Sequence, residues 1–185
     1  MKLETKRLIL RPWKYDDAEE LYNYAKDPRI GPVAGWPVHT SIEDSRQIIK
    51  DVLSAAETFA VVLIDGNAVV GSIGLMIGEK SNLDISEDEG EIGYWIGVPY
   101  WGQGLIPEAV NELMRYGFEN LGLKTIWCGY FKGNEKSRRV QEKCGFQYHH
   151  TEKDKNLPLV NDIRTTHITC ITRAQWQEEL RSGQI

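Results

Sequence analysis

Residues Glu91–Ala109 read EIGYWIGVPYWGQGLIPEA. Glu91–Val98 has the apolar character of a strand, Gly102 and Gly104 mark a tight turn, and Gly104–Asn120 carries helical spacing with a core face of Ala109, Val110, Leu113 and Gly117. Where a strand passes through glycines into a helix, the first helical N–H groups point outward unpaired. The helix dipole adds partial positive charge, so the junction suits an anion such as a pyrophosphate. Two familiar phosphate loops do not fit. A dinucleotide fingerprint needs a third glycine where Pro107 stands, and the chain has no Gly-x-x-x-x-Gly-Lys-Ser/Thr run.

A second stretch, Asn134–Phe146, reads NEKSRRVQEKCGF; it follows the apolar strand Thr125–Phe131 and forms a short helix closed by Gly145. Together the two stretches resemble the GNAT superfamily of N-acetyltransferases. That family has a loop of Arg or Gln, two residues, Gly, one residue and Gly or Ala after its fourth strand. Trp101-Gly102-Gln103-Gly104-Leu105-Ile106 occupies it here. The family's later motif begins with Asn, has Tyr seven residues on and ends in Gly-Phe; it aligns without gaps from Asn134 to Gly145-Phe146. GYWI at Gly93–Ile96, the WGQG turn with Glu108-Ala109, Asn134 with Ser137, and ETKRLILRPW at Glu4–Trp13 look like the branch that acetylates ribosomal-protein N-termini on alanine or serine. The resemblance covers about residues 3–172 of a chain expected to be one domain over 1–185.

The resemblance implies a mixed α/β fold: a mostly antiparallel sheet of about seven strands, flanked by helices, with the fourth and fifth strands splayed. It implies acetyl-CoA as co-substrate and direct attack by an amine in a ternary complex. Carried onto this chain, Gly102, Gln103, Gly104, Leu105 and Ile106 hold the pyrophosphate by backbone N–H groups. Ile96, Gly97 and Val98 meet the pantetheine arm and supply an oxyanion donor, and Asn134 bonds the arm's amides. Gly97 and Pro99 suit a bulged, splayed strand. Three positions depart from the pattern. Trp101 replaces Arg or Gln, Ile106 replaces a small residue and crowds the turn, and Gln141 stands where the family often has a tyrosine acid. Ser137 then becomes the proton donor or thiolate stabiliser. Glu91 is the first candidate for the base that takes the amine's proton, directly or through water, and Tyr94 the second.

Composition narrows the rest. The chain has 185 residues and a net charge of −5, which disfavours nucleic acid as partner. It has no apolar run long enough to span a membrane and no signal-peptide core at its N-terminus. Cys128, Cys144 and Cys170 lack disulfide or metal spacing, so free thiols, a cytoplasmic location and no metal are expected. Six acids between Glu79 and Glu91 against the single base Lys80 either border an entrance for cationic acceptors or form a solvated hairpin tip. Lys132, Lys136, Arg138, Arg139 and Lys143 either meet the ribose 3′-phosphate or form a solvated helix face.

An α-amino group with pKa near 7.8 is roughly a quarter neutral at about pH 7.4, whereas a lysine near 10.4 is neutral about once in 1,000. A weakly equipped base therefore favours a protein or peptide N-terminus as acceptor. A small amine (polyamine, amino acid or aminoglycoside) and a non-catalytic acyl-CoA sensor are the alternatives. Either a monomer or a homodimer is compatible with the sequence.

In the remaining segments, Arg7–Trp13, Phe59–Ile64, Ala68–Ile77, Phe146–Lys153 and Asp162–Ile171 read as strands. Asp65-Gly66-Asn67 makes a hairpin turn. Asp16 opens a helix with Glu19 as its capping-box partner, and Ala18, Leu21, Tyr22 and Ala25 form the buried face. Asp27–Thr40, with three prolines, reads as loop. Ser41 caps a helix with apolar positions Ile48, Ile49, Val52, Leu53 and Ala56. Thr172 caps the last helix, and Arg181–Ile185 is expected to fray.

Overall fold

The computed structural model describes residues 1–183. The strands are β1 (Leu3–Glu4), β2 (Leu8–Arg11), β3 (Thr58–Leu63), β4 (Val69–Ile77), β5 (Glu89–Ile96), β6 (Thr125–Phe131), β7 (Gln147–Leu157) and β8 (Asp162–Thr172). The helices are α1 (Ala18–Ala25), α2 (Gly31–Ala34), α3 (Ile42–Ile48), α4 (Leu105–Glu119), α5 (Glu135–Lys143) and α6 (Arg173–Ser182). Among the described residues the sheet has eight strands in the order β1-β2-β3-β4-β5-β6-β8-β7. The count exceeds the expected seven because Leu3–Glu4 pairs with Ile9–Leu10 as a further edge. β5 and β6 are parallel, which the crossover through α4 allows. The β1–β2, β2–β3, β3–β4, β6–β8 and β7–β8 ladders are antiparallel. This is the mixed α/β class expected.

The residues group into two compact units. The first holds Met1–Gly74, Tyr94–Ala109 and Pro158–Val160; the second holds Leu75–Gly93, Val110–Leu157 and the chain from Asn161 onward. In the first unit, Trp13, Ala18, Leu21, Ala25, Ile49, Ala60, Val62 and Val69 form a buried cluster, with Trp36 and Trp95 packed on it. The hairpin closes where expected, Leu63 N donating to Ala68 O across Gly66 and Asn67 at positive φ. In the second unit, Leu113, Met114, Phe118, Ile126, Ile168 and Ile171 are fully buried. The α4 core face is as predicted, and Gly117 sits in close quarters there, where a Cβ would lie 3.0 Å from Ile126 Cδ1.

Four local expectations are corrected. Asp16 does not cap α1: residues 15–17 form a 3-10 turn, and Asp17 instead takes the Lys14 N–H (2.8 Å) and two Arg11 guanidinium bonds (2.7 and 2.8 Å). Asp27–Thr40 is not all loop, since Pro32 in the first turn and Gly35 at φ 94° bracket the single-turn α2. α3 is capped by Ser41 as expected, but Ile49–Leu53 winds as a π-turn, with Ser54 N donating to Ile49 O. The wider turn breaks the 3.6-residue period, so Val52 and Ala56 face solvent. β7 runs four residues past its expected end to Leu157. Of the expected fray, Arg181 and Ser182 complete α6 and Gly183 closes it at φ 68°, while Gln184 and Ile185 lie outside the described residues.

Candidate active site

In the first unit, β5 leads through a 3-10 turn at Val98–Tyr100 to the loop Trp101–Gly104 and into α4. Gly102 and Gly104 sit at φ 75° and 74°, the left-handed region that side-chain-bearing residues seldom adopt. A Cβ at Gly102 would meet nothing within 4 Å, so these glycines serve the backbone conformation and not a crowded neighbour. Leu105 and Ile106 are buried in the first turn of α4, so Ile106 faces the core and does not crowd the loop.

A clamp missed in the sequence braces this loop. Glu108 accepts from Thr5 Oγ1 (2.6 Å), Arg7 N (2.8 Å) and Arg7 Nε (2.7 Å). Arg7 Nη1 donates to Gln103 O at 2.9 Å, and Gln103 Nε2 donates to Pro99 O at 2.9 Å. Burial pushes the Glu108 carboxyl up, but the Thr5 and Arg7 hydrogen bonds outweigh it and hold the group below its ordinary value. Thr5, Arg7 and Glu108 were visible in ETKRL and IPEA; their pairing was not, because Arg7 and Glu108 stand 101 positions apart.

Gly97 plays a different part from the one expected. Its φ of −55° is open to any residue, and a Cβ would lie 2.6 Å from the Tyr24 ring. The irregularity sits on β4, where Val61↔Gly71 and Val62↔Val69 leave Val70 as the extra residue. Gly97 N donates to Val70 O at 2.8 Å, which removes that N–H as an oxyanion donor and leaves Ile96 and Val98. Trp101 Nε1 donates to Ile96 O at 3.0 Å, so the tryptophan at the departing motif position ties the loop back to its own strand.

In the second unit, the β5–β6 ladder runs from Glu89↔Thr125 to Ile92↔Cys128, while the strands themselves end at Ile96 and Phe131. Glu91 Oε2 accepts from Ser81 Oγ and Asn82 N, both at 2.8 Å, and so folds the start of the acidic loop onto β5. Glu91 and Tyr94, three apart on one strand, project to opposite faces. Asn134 caps α5, its Oδ1 accepting from Ser137 N at 3.2 Å. Gln141 is 1% exposed. Its Nε2 donates to Gly129 O (3.0 Å) and Ser137 Oγ (3.2 Å), and its Oε1 accepts from Thr169 Oγ1 (2.8 Å). Arg138 pairs with Glu135 and Glu142 on its own helix, which fits a solvated face. The three cysteines are free thiols, and no cluster of metal ligands occurs among the described residues.

An acetyltransferase (GNAT) domain profile matches residues 7–147, most of the chain. The chain belongs to the GNAT acetyltransferase family. The uncharacterized N-acetyltransferase p20 of Bacillus licheniformis is 30% identical over 150 residues, spanning 78% of this chain and 82% of its own. YdaF of Bacillus subtilis, which carries the name of a ribosomal N-acetyltransferase, is 41% identical over 107 residues, 58% of this chain and 54% of its own. A GNAT-family acetyltransferase from Bacillus anthracis superposes with a TM-score of 0.80 at 26% identity, covering 93% of this chain and 98% of the other. This GNAT protein is thus an acetyl-CoA-dependent N-acetyltransferase. Its residues fit that co-substrate: the left-handed glycine pair leads into the α4 N-terminus, an arrangement of backbone N–H groups and helix dipole suited to an anion.

Proposed function

We propose that residues 1–185 act as one cytoplasmic acetyltransferase domain whose acceptor is the α-amino group of a protein or peptide N-terminus. The reading rests above all on the braced glycine loop Gly102–Gly104 at the head of α4. Gly102, Gln103, Gly104, Leu105 and Ile106 would hold the pyrophosphate by backbone N–H groups. Ile96 or Val98 would donate to the thioester oxygen, and Asn134 would bond the pantetheine arm through the amide not used as a cap. The amine nitrogen attacks the carbonyl carbon and the C–N bond forms. The electron pair on oxygen then returns as the C–S bond breaks, and the thiolate leaves. Glu91 would accept the amine's proton through water, with Tyr94 as second candidate. Ser137 would donate to the departing sulfur.

The N-terminal acceptor is supported by the ribosomal name of YdaF and by the modest equipment of Glu91, whose Oε2 is already occupied in shaping the loop. An α-amino group needs little help to lose its proton.

The test is calorimetric titration of acetyl-CoA into wild type and Gly104→Asp, followed by an acceptor screen. Binding by wild type that the substitution abolishes, with turnover of peptides beginning in Ala or Ser, is expected. Absence of binding by wild type sinks the cofactor site, and turnover confined to polyamines or aminoglycosides sinks the peptide acceptor.

A further inference from the structure

We propose that Gln141 is a positioning residue for Ser137, fixing the direction of its hydroxyl hydrogen so that it serves a sulfur anion; this rests on the thiolate role given to Ser137 under Proposed function. The argument begins with a group whose polarity cannot be reversed. Gly129 O is a carbonyl and only accepts, so the Gln141 atom 3.0 Å from it must be the amide nitrogen. The same NH2 group lies 3.2 Å from Ser137 Oγ, and its second hydrogen is spent there. The amide oxygen is thereby turned to Thr169, whose hydroxyl lies 2.8 Å away and donates. Ser137 Oγ is therefore an acceptor toward Gln141, and its own hydrogen is directed away from residue 141.

Two consequences follow. A hydroxyl that accepts a hydrogen bond becomes a better donor through the polarisation of linked bonds. That hydrogen is also kept off residue 141 before any ligand arrives, because Gln141 is 1% exposed and held at one point on each of two neighbouring strands, Gly129 of β6 and Thr169 of β8. The residue type matters. Of the common buried side chains, only an amide both donates twice and accepts here, whereas a tyrosine in its place would supply its own proton. The glutamine that departs from the family pattern thus supports the serine one helical turn before it.

The readout is the acidity of the thiol of bound CoA, followed by the ultraviolet absorbance of its thiolate across pH. It needs no acceptor. Wild type, Ser137→Ala, Gln141→Leu and the double variant are compared at saturating CoA. A neutral hydrogen bond is worth a few-fold in an equilibrium constant, so Gln141→Leu is expected to weaken thiol ionisation about 3- to 10-fold. Ser137→Ala should do at least as much, and the double variant no more than Ser137→Ala alone. Gln141→Glu keeps the shape and the Thr169 bond and, when ionised, has no hydrogen to give. It serves if the leucine variant does not fold, and it is expected to move the thiol in the same direction.

Equal effects of Gln141 substitution with and without Ser137 would overturn the proposal, as would no effect where Ser137→Ala has one. A thiol unmoved by Ser137→Ala refutes the thiolate role of Ser137 itself, and failure of wild type to bind CoA refutes the cofactor reading.

Discussion

Replacing Glu108 by Ala tests the clamp on the glycine loop. The carboxylate takes three donors: the Thr5 hydroxyl, the Arg7 N–H and Arg7 Nε. The side chain is 19% exposed, but that of Arg7 is 44% exposed. The guanidinium arm is therefore solvent-screened and is worth at most about 1 kcal/mol. The bonds from Thr5, which is partly buried, and from the Arg7 backbone are charge-assisted, and together they contribute about 1.5–2 kcal/mol after allowance for rehydration. The expected loss is about 2–3 kcal/mol, which at about 2–4 °C per kcal/mol for a chain of this size lowers Tm by about 5–10 °C. Glu108→Gln, which keeps one acceptor, should fall between. Acetyl-CoA affinity should drop in step, because Arg7 would no longer be held on the Gln103 carbonyl. The pH dependence has a definite sign. The folded carboxyl is depressed, so its contribution is complete above the ordinary glutamate value and disappears as pH falls through the lower folded value. Circular-dichroism melts and calorimetric titration give both numbers. A Glu108→Ala protein within about 0.5 kcal/mol of wild type would refute the clamp.

Gly71→Ala should cost at least about 3 kcal/mol, since its Cβ would stand 2.4 Å from Trp95 O and 3.0 Å from Ile96 Cα, backbone that cannot step aside; near-native denaturant unfolding would contradict this. His39 is buried against Ser45 Oγ at 2.8 Å, and burial lowers its pKa from 6.5. The unfolded chain therefore binds the proton first, and stability should fall as pH drops below about 6.5, a slope that His39→Gln should remove from urea midpoints. Burial pushes the Cys144 thiol up to about 12, and Cys128 is 2% exposed, whereas Cys170 is partly exposed. A thiol reagent should therefore modify Cys170 in the native protein and all three cysteines only in denaturant.

The elements with local causes were readable along the chain. The α4 period, the Asp65–Asn67 hairpin, and the Ser41, Asn134 and Thr172 caps each depend on residues within a few positions, and all appear as read. The errors have non-local or competing causes. Asp17 outcompeted Asp16 because Arg11, on another element, was there to bind it. Gly97 read as a bulge residue, whereas its smallness answers the Tyr24 ring 73 positions earlier in the chain. Gln141 read as a lost tyrosine, because a sequence shows which atom is absent but not that Gly129, Ser137 and Thr169 surround its replacement. The π-turn at Ile49–Leu53 changes the period inside one helical segment, and no average over that window reveals it.

The sheet's last strand carries a further consequence. β7 is eleven residues long and, among the described residues, borders β8 on one side only, an arrangement that in other proteins recruits foreign strands. Here its register with β8 shifts twice, between Tyr148 and His150 and again between Glu152 and Lys155, and Asp154 is thrown to φ 54° in the second shift. Lys153 and Lys155 stand on the same stretch. A neighbouring chain seeking to extend the ladder would meet mismatched hydrogen-bond spacing, the ammonium group of Lys153 and the Lys155–Glu152 ion pair. The terminal strand is thus poorly shaped to template further strands.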